Sequence, residues 1–238
     1  MNITGKKTVA SVVAENIKAA HIFKKYGIDF CCGGEITVEK ACLKNGVDFL
    51  TLENELKEVE SVASAFNYDS WDLGFLITHI VSFHHTYVEE NMPLLLQYAA
   101  KVERVHGHHT PEVIEINKLF KDVAKELTLH MKKEELVLFP YINELLKAKE
   151  ENVKPSLPHF GTVSNPISMM YNEHEFAGDI FKAIANLSNN YTPPEEACNT
   201  FRALYSKLQE FEQDLHQHIH LENNILFPKA IELEKELQ

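Results

Sequence analysis

One pattern of eleven residues occurs twice in this chain of 238 residues. It reads HxxxExxxLFP and begins first at His130 and again at His218, 88 positions later. Residues four apart lie on the same face of a helix, so each copy presents an imidazole beside a carboxylate. A single HxxxE is typical of a solvated or internally satisfied pair. Two copies in register, each followed by the same apolar residues, indicate ligands that converge between two related helix pairs.

Each half of the repeat adds one more histidine. His85 precedes His130 by 45 positions, and His174 precedes His218 by 44. Imidazoles with bridging carboxylates suit iron better than calcium or magnesium, which prefer oxygen donors. We therefore predict two non-haem iron ions with carboxylate and oxo or hydroxo bridges, leaving open positions for a small ligand. The six donors are His85, His130, Glu134, His174, His218 and Glu222.

Two features around these donors stay open at this point. His84 stands beside His85 at a spacing of 46 from His130, so the repeat favours His85 only slightly. Glu173 and Glu175 flank His174 and either support the ligands from outside or lie on a solvated face.

The remaining histidines are expected to have no role as ligands. We place His216 and His220 at the surface, because their counterparts in the first copy are Thr128 and Lys132. His79 is expected in the core. The sequence indicates a solvated cluster for the histidines before Thr110, which are His106, His108 and His109.

Composition and periodicity favour an all-α fold. Glycine and proline together are only 18 of 238 residues, below the usual share of about 12%. Apolar spacing predicts one helix over 8–26 with Gly27 as its left-handed stop. Further short helices are expected from Thr37 and over 51–60. These elements form a small helical N-terminal domain.

Four longer helices are predicted over 71–106, 111–149, 166–189 and 193–237. Capping residues followed by proline mark the last three starts, at Thr110, Asn165 and Thr192. The interior prolines should kink or end these helices; they are Pro93, Pro140 and Pro228. Mostly short connections favour an up-down four-helix bundle. We assign residues 1–62 to the N-terminal domain, 63–70 to a linker and 71–238 to the bundle.

Charge and hydropathy restrict the partners and the location. The net charge of -12 disfavours nucleic acid and anionic lipid surfaces. Apolar runs fall far short of the roughly 20 residues that span a bilayer. Because the N-terminus also lacks the pattern of a secretory leader, we expect a cytoplasmic protein. Its four cysteines should then be thiols.

Taken together, these motifs resemble the Repair of Iron Centres family, which consists of hemerythrin-like di-iron proteins with a small N-terminal domain. The similarity runs over nearly the whole chain. Its marks are the segments 26–34 (YGIDFCCGG), 101–106 (KVERVH), 130–135 (HMKKEE), 172–174 (NEH) and 221–228 (LENNILFP).

The resemblance implies both ligands and function. It places the iron ligands on the six donors named above, with Glu134 and Glu222 bridging, and it chooses His85 over His84. It also singles out Cys31 and Cys32 as redox, iron-handling or nitrosation thiols. Two buried structural thiols in a tight Gly-Gly turn are the alternative.

Three functions from different classes remain as hypotheses. The leading one is repair of iron-sulfur clusters damaged by nitric oxide or oxidative stress, with iron supplied from a labile di-iron site. The second is reduction of nitric oxide to nitrous oxide at the diferrous pair, and the third is oxygen binding or sensing of the plain hemerythrin type. We favour a repair factor over a conventional enzyme. The expected partners are damaged iron-sulfur proteins, nitric oxide or dioxygen, and a second copy of the chain in a homodimer.

Overall fold

The computed structural model of the chain describes residues 5–60 and 67–238. It has two compact units. The first consists of Met1–Ile77, Leu145–Pro155 and Gln217–Gln238, and the second of Thr78–Glu144 and Ser156–His216. Helices form the regular structure: within the described ranges there is no strand, and an isolated bridge joins two threonines, Thr8 and Thr37. The prediction of an all-α chain that begins with small helices is confirmed.

Four short helices open the first unit. They are α1 (Val9–Glu15), α2 (Ala19–Lys25), α3 (Val38–Asn45) and α4 (Phe49–Glu60). The Thr8 hydroxyl caps α1 by accepting the Ser11 N–H at 3.1 Å, and the Thr37 hydroxyl caps α3 by accepting the Lys40 N–H at 3.4 Å. Such caps satisfy backbone donors that have no partner inside the helix.

The prediction of one continuous helix over 8–26 is wrong. The backbone leaves the helical region at Asn16, where φ is -149° and ψ is 101°. The Asn16 side chain accepts the Lys18 N–H at 3.1 Å, a local bond that competes with helix propagation. The stop at Gly27 is confirmed, because its φ of +66° is left-handed.

Gly34 lies where the loop after α2 comes closest to α1. The Ala10 N–H donates to the Gly34 carbonyl at 2.8 Å. A Cβ built on Gly34 would lie 2.4 Å from the Phe30 carbonyl oxygen and 2.9 Å from the Ala10 Cβ. A side chain at this position is therefore excluded by close backbone approach.

Seven further α-helices follow, and π turns join consecutive helices in three places. The α-helices are α5 (Leu73–His79), α6 (Thr86–His106), α7 (Glu112–Lys133), α8 (Phe139–Glu151), α9 (Ser164–Leu187), α10 (Asn199–Leu221) and α11 (Phe227–Leu237). The π turns are π1 (Ile80–His85), π2 (Glu134–Leu138) and π3 (Glu222–Leu226). None of the described helices is both long and apolar enough to cross a membrane.

The π turns explain how the helices continue past two of the prolines. In π2 and π3 the N–H of Phe139 bonds to the Glu134 carbonyl and that of Phe227 to the Glu222 carbonyl, five residues back. A proline follows each phenylalanine, and its ring would clash with the carbonyl four residues earlier in a regular helix. The wider turn relieves that clash. The helix α6 continues through Pro93 without a π turn, so the prediction that this proline ends its helix is wrong.

The predicted helix start at Thr192 is wrong. The helix α10 begins at Asn199. A second proline, Pro194, follows Pro193 and disfavours helical geometry in the residue before it. Arg202 then holds the irregular segment, since its Nε donates to the Ala197 carbonyl at 3.1 Å.

The predicted linker falls partly outside the described residues, which resume at Asn67. Tyr68–Ser70 forms a short 3-10 turn in which Tyr68 is buried. The domain limits at 62 and 71 stay a prediction.

Three phenylalanine rings from three helices meet in the core of the second unit. Phe181 of α9 and Phe211 of α10 stack with centroids 5.7 Å apart, and Phe120 of α7 packs edge-on against both at 6.4 and 5.8 Å. All three side chains are fully buried. Edge-on and stacked rings have defined geometry, so the cluster restricts how these helices can rotate.

We predict that Gly34→Ala lowers the free energy of unfolding by about 1–3 kcal/mol, because the added methyl overlaps backbone atoms. Urea unfolding of the full chain measures this. Gly33→Ala is the matched control, since its Cβ would meet nothing nearer than the Asp29 side chain at 3.4 Å. Equal destabilisation by the two substitutions would contradict the described packing.

Candidate metal centre

Four of the six predicted ligands lie in the second unit, and all four are buried. His85 ends π1, His130 lies in the last turn of α7, Glu134 opens π2, and His174 lies within α9. The exposed fraction of each residue is 2% or less. Burial of an ionisable group is costly unless it is paired or binds a metal ion.

The Glu134 carboxylate lies between two imidazoles. Its Oε2 is 3.4 Å from His85 Nε2 and 3.3 Å from His130 Nε2. The His174 Nε2 lies 3.0 Å from His130 Nε2. The candidate ligand atoms of His130, Glu134 and His174 all fall within 4.8 Å of one another. Nitrogen and carboxylate donors therefore converge at one buried point.

Carboxylates outside this group form hydrogen bonds with the Nδ1 atoms of two of the imidazoles. His85 Nδ1 is 2.6 Å from Glu135 Oε1, and His130 Nδ1 is 2.8 Å from Glu173 Oε2. An ionised carboxylate only accepts hydrogen bonds, so each Nδ1 carries the proton and each Nε2 keeps its lone pair for a metal ion.

Glu173 is in turn held by a cation, because Lys133 forms an ion pair with its second oxygen. Burial opposes the charge of Glu173, but the hydrogen bonds from His130 and Lys133 outweigh burial and lower its pKa. Glu173 therefore stays ionised as the acceptor for His130.

The donor set fits a metal ion. With the His130 proton on Nδ1, the Nε2 lone pair of His130 faces the Nε2 of His174 at 3.0 Å, and a cation between them would be bound by both. Imidazole nitrogen with carboxylate oxygen suits a borderline transition metal such as iron and is unlike the all-oxygen shell of calcium or magnesium. The second unit therefore carries a metal-binding group.

Three consecutive residues where α7 meets π2 point in three directions. Lys133 contacts Glu173, Glu134 faces His85 and His130, and Glu135 bonds to the far side of His85. π turns inside α-helices are frequent at functional sites. The repeated Leu-Phe-Pro after each HxxxE is the sequence signal that could have predicted π2 and π3.

The other copy of the repeat lies in the first unit and has the same local structure. His218 lies in the last turn of α10, and Glu222 opens π3. His218 Nε2 is 3.0 Å from Glu222 Oε1, and both side chains are buried. Both copies of HxxxE thus lie at an identical α-to-π junction.

Cys31 and Cys32 lie in the loop after α2, and both are free thiols. Their sulfur atoms are 4.0 Å apart. Asp29 Oδ1 accepts the N–H of Cys31 at 3.0 Å and that of Cys32 at 3.1 Å, and it lies 3.3 Å from Cys31 Sγ. The hydrogen bond with Cys32, burial and the nearby Asp29 charge raise the pKa of the Cys31 thiol. Cys31 is buried, whereas Cys32 is half-buried.

Asn224 of π3 links this loop to the helix that bears Glu222. Its amide donates to the Cys31 carbonyl at 3.1 Å and lies 3.0 Å from His220 Nδ1. The surface position predicted for His220 is wrong, because the side chain is fully buried beside the Phe30 ring. Burial lowers the pKa of His220 to about 4. Its counterpart in the first copy of the repeat, Lys132, is exposed, so the two equivalent positions differ in burial.

The neighbouring histidines His84 and His85 contact different carboxylates. His84 is buried and its Nδ1 lies 2.9 Å from Asp214 Oδ1, whereas His85 faces Glu134. His79 is half-buried, with its ring centroid 5.6 Å from that of His84.

The solvated cluster before Thr110 is only partly as expected. His108 and His109 are exposed, but His106 Nε2 lies 3.2 Å from Cys198 Sγ. Of the residues beside His174, Glu175 is exposed and Glu173 supports a ligand. The support from Glu135 was not predicted, since no local pattern indicates its partner.

We predict that Cys31 is alkylated by iodoacetamide more slowly than Cys32, and that its rate continues to rise at alkaline pH. Only the thiolate reacts, and a raised pKa moves the thiolate of Cys31 to higher pH. Mass spectrometry of the unaltered protein, with fragmentation between the two residues, measures the label on each thiol, and the exposed Cys198 is an internal reference. Faster reaction at Cys31 than at Cys32 would contradict the described loop.

Two family models match the chain. A domain of unknown function, DUF542 (ScdA_N), covers residues 5–60. The hemerythrin HHE cation-binding domain covers residues 76–230 and therefore includes both copies of the repeat. The helical bundle of the hemerythrin type is thus confirmed as the fold of the larger part of the chain.

Curated relatives are similar over almost the full length. The chain is 37% identical over 218 residues to "Iron-sulfur cluster repair protein YtfE" of Cronobacter sakazakii, covering 92% of this chain and 93% of that protein. Proteins of the same name from Enterobacter sp. (strain 638) and Escherichia coli O81 are 36% identical over 214 residues, covering 90% of this chain and 91% of each. The chain belongs to this family of hemerythrin-like iron-sulfur cluster repair proteins, the Repair of Iron Centres family.

Proposed function

We propose that this protein repairs iron-sulfur clusters damaged by nitric oxide or oxidative stress, and that it does so by supplying iron from a labile di-iron site. The observation that carries the proposal is the buried Glu134 carboxylate, whose Oε2 lies at nearly equal distances from His85 and His130. A carboxylate so placed can serve two cations at once. Relatives that bear the name of repair proteins, at 36–37% identity, support the substrate class.

The ligand set that we propose joins the four donors of the second unit to His218 and Glu222 of the first. The support is the repeat: in both copies the histidine ends an α-helix, the glutamate opens a π turn, and the two side chains are in contact. The family resemblance makes Glu134 and Glu222 the bridging carboxylates. The proposed ligands are His85, His130, Glu134, His174, His218 and Glu222.

Two ferrous ions bound there would supply open positions for small ligands such as nitric oxide or dioxygen and a source of transferable iron. The protein's own residues keep that source labile. Four imidazoles and two shared carboxylates offer fewer than six donors to each ion, and neutral imidazoles add no charge. Glu135 and Glu173 orient the rings of His85 and His130 through Nδ1. These residues would therefore hold the iron in position without a complete shell of protein ligands.

The thiols Cys31 and Cys32 are proposed to handle iron or electrons during transfer. Their loop belongs to the same compact unit as π3, and Asn224 bonds both to the Cys31 carbonyl and to His220. Cys32 is half-buried and hence accessible to a partner, whereas Cys31 is enclosed. Thiolates bind iron well, so this loop suits a receiving or redox role.

The partners that we propose are proteins with damaged iron-sulfur clusters. The net charge of -12 favours encounters with basic surfaces, and a homodimer is included in the proposal. The free state of all four cysteines suits a reducing cytoplasm.

The test is anaerobic recovery of a hydratase whose [4Fe-4S] cluster has been damaged by nitric oxide, after addition of the iron-loaded protein without free iron. We expect recovery with the unaltered protein. Glu134→Leu and Glu222→Leu should lose iron and repair together, because each removes a bridging carboxylate. Glu232→Leu is the control, since Glu232 is exposed on α11.

Repair by an iron-free variant would contradict the proposal. Nitrous oxide is read in the headspace of the same vial after exposure to nitric oxide. Nitrous oxide without recovery would assign the protein to nitric oxide reduction. The absence of both nitrous oxide and recovery would identify a metal-binding protein without repair activity.

A further inference from the structure

We propose that the outer carboxylates Glu135 and Glu173 make the two irons unequal, and that Lys133 weakens the hold on the iron at His130 so that this iron is released first. The inference rests on the proposed di-iron function. It names Lys133, Glu135 and Glu173 as positioning residues, which act on the metal through the histidines that they orient.

The two outer carboxylates have different surroundings. Glu173 accepts from His130 at 2.8 Å and is also paired with Lys133. Glu135 accepts from His85 at the shorter distance of 2.6 Å. Among the residues that the structure describes, Glu135 has no lysine or arginine within ion-pair distance. Glu173 is thus paired with a lysine, whereas Glu135 is paired with neither a lysine nor an arginine among the described residues.

This difference changes the strength of the two histidines as ligands. A carboxylate that accepts from Nδ1 draws the proton toward itself and makes Nε2 a stronger donor to metal. Pairing with Lys133 reduces that pull at Glu173. Glu135 is more exposed, at 37% against 20% of the side chain, so water screens it more. The direct contact of Lys133 with Glu173 outweighs the screening of Glu135 by water. The bond from His85 to Glu135 is also shorter than that from His130 to Glu173, which again makes Glu135 the stronger acceptor.

The charged residues beside the first copy of the repeat have no charged counterparts beside the second copy. Lys133 and Glu135 correspond to Leu221 and Asn223 in the second copy of the pattern. Both counterparts are uncharged and buried, with exposed fractions of 0% and 5%. The ligand residues are thus repeated while the charged residues around them are not. A site assembled from these halves has no symmetry that would keep its two irons equal.

Lys133 also allows a clean substitution. It lines a cavity of about 290 Å³ together with apolar side chains that include Val137, Met169 and Met170. Methionine is unbranched, like lysine, and fits such a surface without a buried charge. Lys133→Met therefore removes the cation that faces Glu173 and keeps the packing of the aliphatic stem.

The experiment measures loss of iron from the full-length protein, loaded with two ferrous ions under anaerobic conditions, to an excess of a ferrous chelator. We expect a fast and a slow phase of one iron each. Lys133→Met should slow the fast phase severalfold and leave the slow phase unchanged, and Lys133→Arg should restore the original rate. Glu135→Gln should accelerate the slow phase about tenfold, the lower range for loss of such a support.

The matched control is Lys125→Met, which removes the same charge from an exposed position on α7. It should leave both phases unchanged. Mössbauer spectra of the diferrous protein loaded with ⁵⁷Fe give an independent readout: two distinct iron environments are expected, and Lys133→Met should shift only one of them.

A single release rate with a single Mössbauer environment in the unaltered protein would overturn the inference and leave the di-iron function standing. Binding of fewer than two irons by the unaltered protein would instead contradict the proposed function. If Lys133→Met does not retain two irons, Glu135→Gln decides, and an unchanged slow phase in that variant would overturn the inference.

Discussion

The buried Glu134 carboxylate is the group in the second unit whose charge the surrounding residues have to compensate. It has no exposure to solvent and lies 3.3–3.4 Å from two imidazole nitrogens. A buried carboxylate costs several kcal/mol unless a charge or a dense set of hydrogen bonds compensates it. The surrounding carboxylates, Glu135 and Glu173, lock the imidazoles with their lone pairs inward. A metal ion would complete this arrangement, and its ligands would come from π1, α7, π2 and α9.

Backbone geometry provides the required directions. Lys133, Glu134 and Glu135 are consecutive, so they point in different directions from the helix axis. They reach Glu173, the His130 imidazole and the far side of His85 respectively. The turn π2 begins at Glu134, and Pro140 favours this wider turn by disfavouring a regular one. Phe120, Phe181 and Phe211 meanwhile restrict the rotation of the helices. Local backbone irregularity and a rigid aromatic core thus work together at the site.

The sequence predicts contacts between residues that are close together in one helix. It does not predict contacts between residues that are far apart along the chain. The HxxxE spacing predicts a contact within one helix, and that contact is present at both His130 and His218. The bond from Glu135 to His85 joins positions 50 apart, and no periodicity indicates it. His220 was misplaced because its burial depends on the loop at Phe30, which the comparison of repeat copies does not include. The break at Asn16 was missed because apolar periodicity continues across it.

The proposed di-iron site requires both copies of the repeat to hold iron, with Glu134 and Glu222 shared between two ions. Anomalous scattering at the iron edge, from crystals of the iron-loaded protein grown without oxygen, tests it most directly. We expect two iron peaks bonded to these carboxylates and to His85, His130, His174 and His218. A single peak, or iron bound only at Cys31 and Cys32, would contradict it.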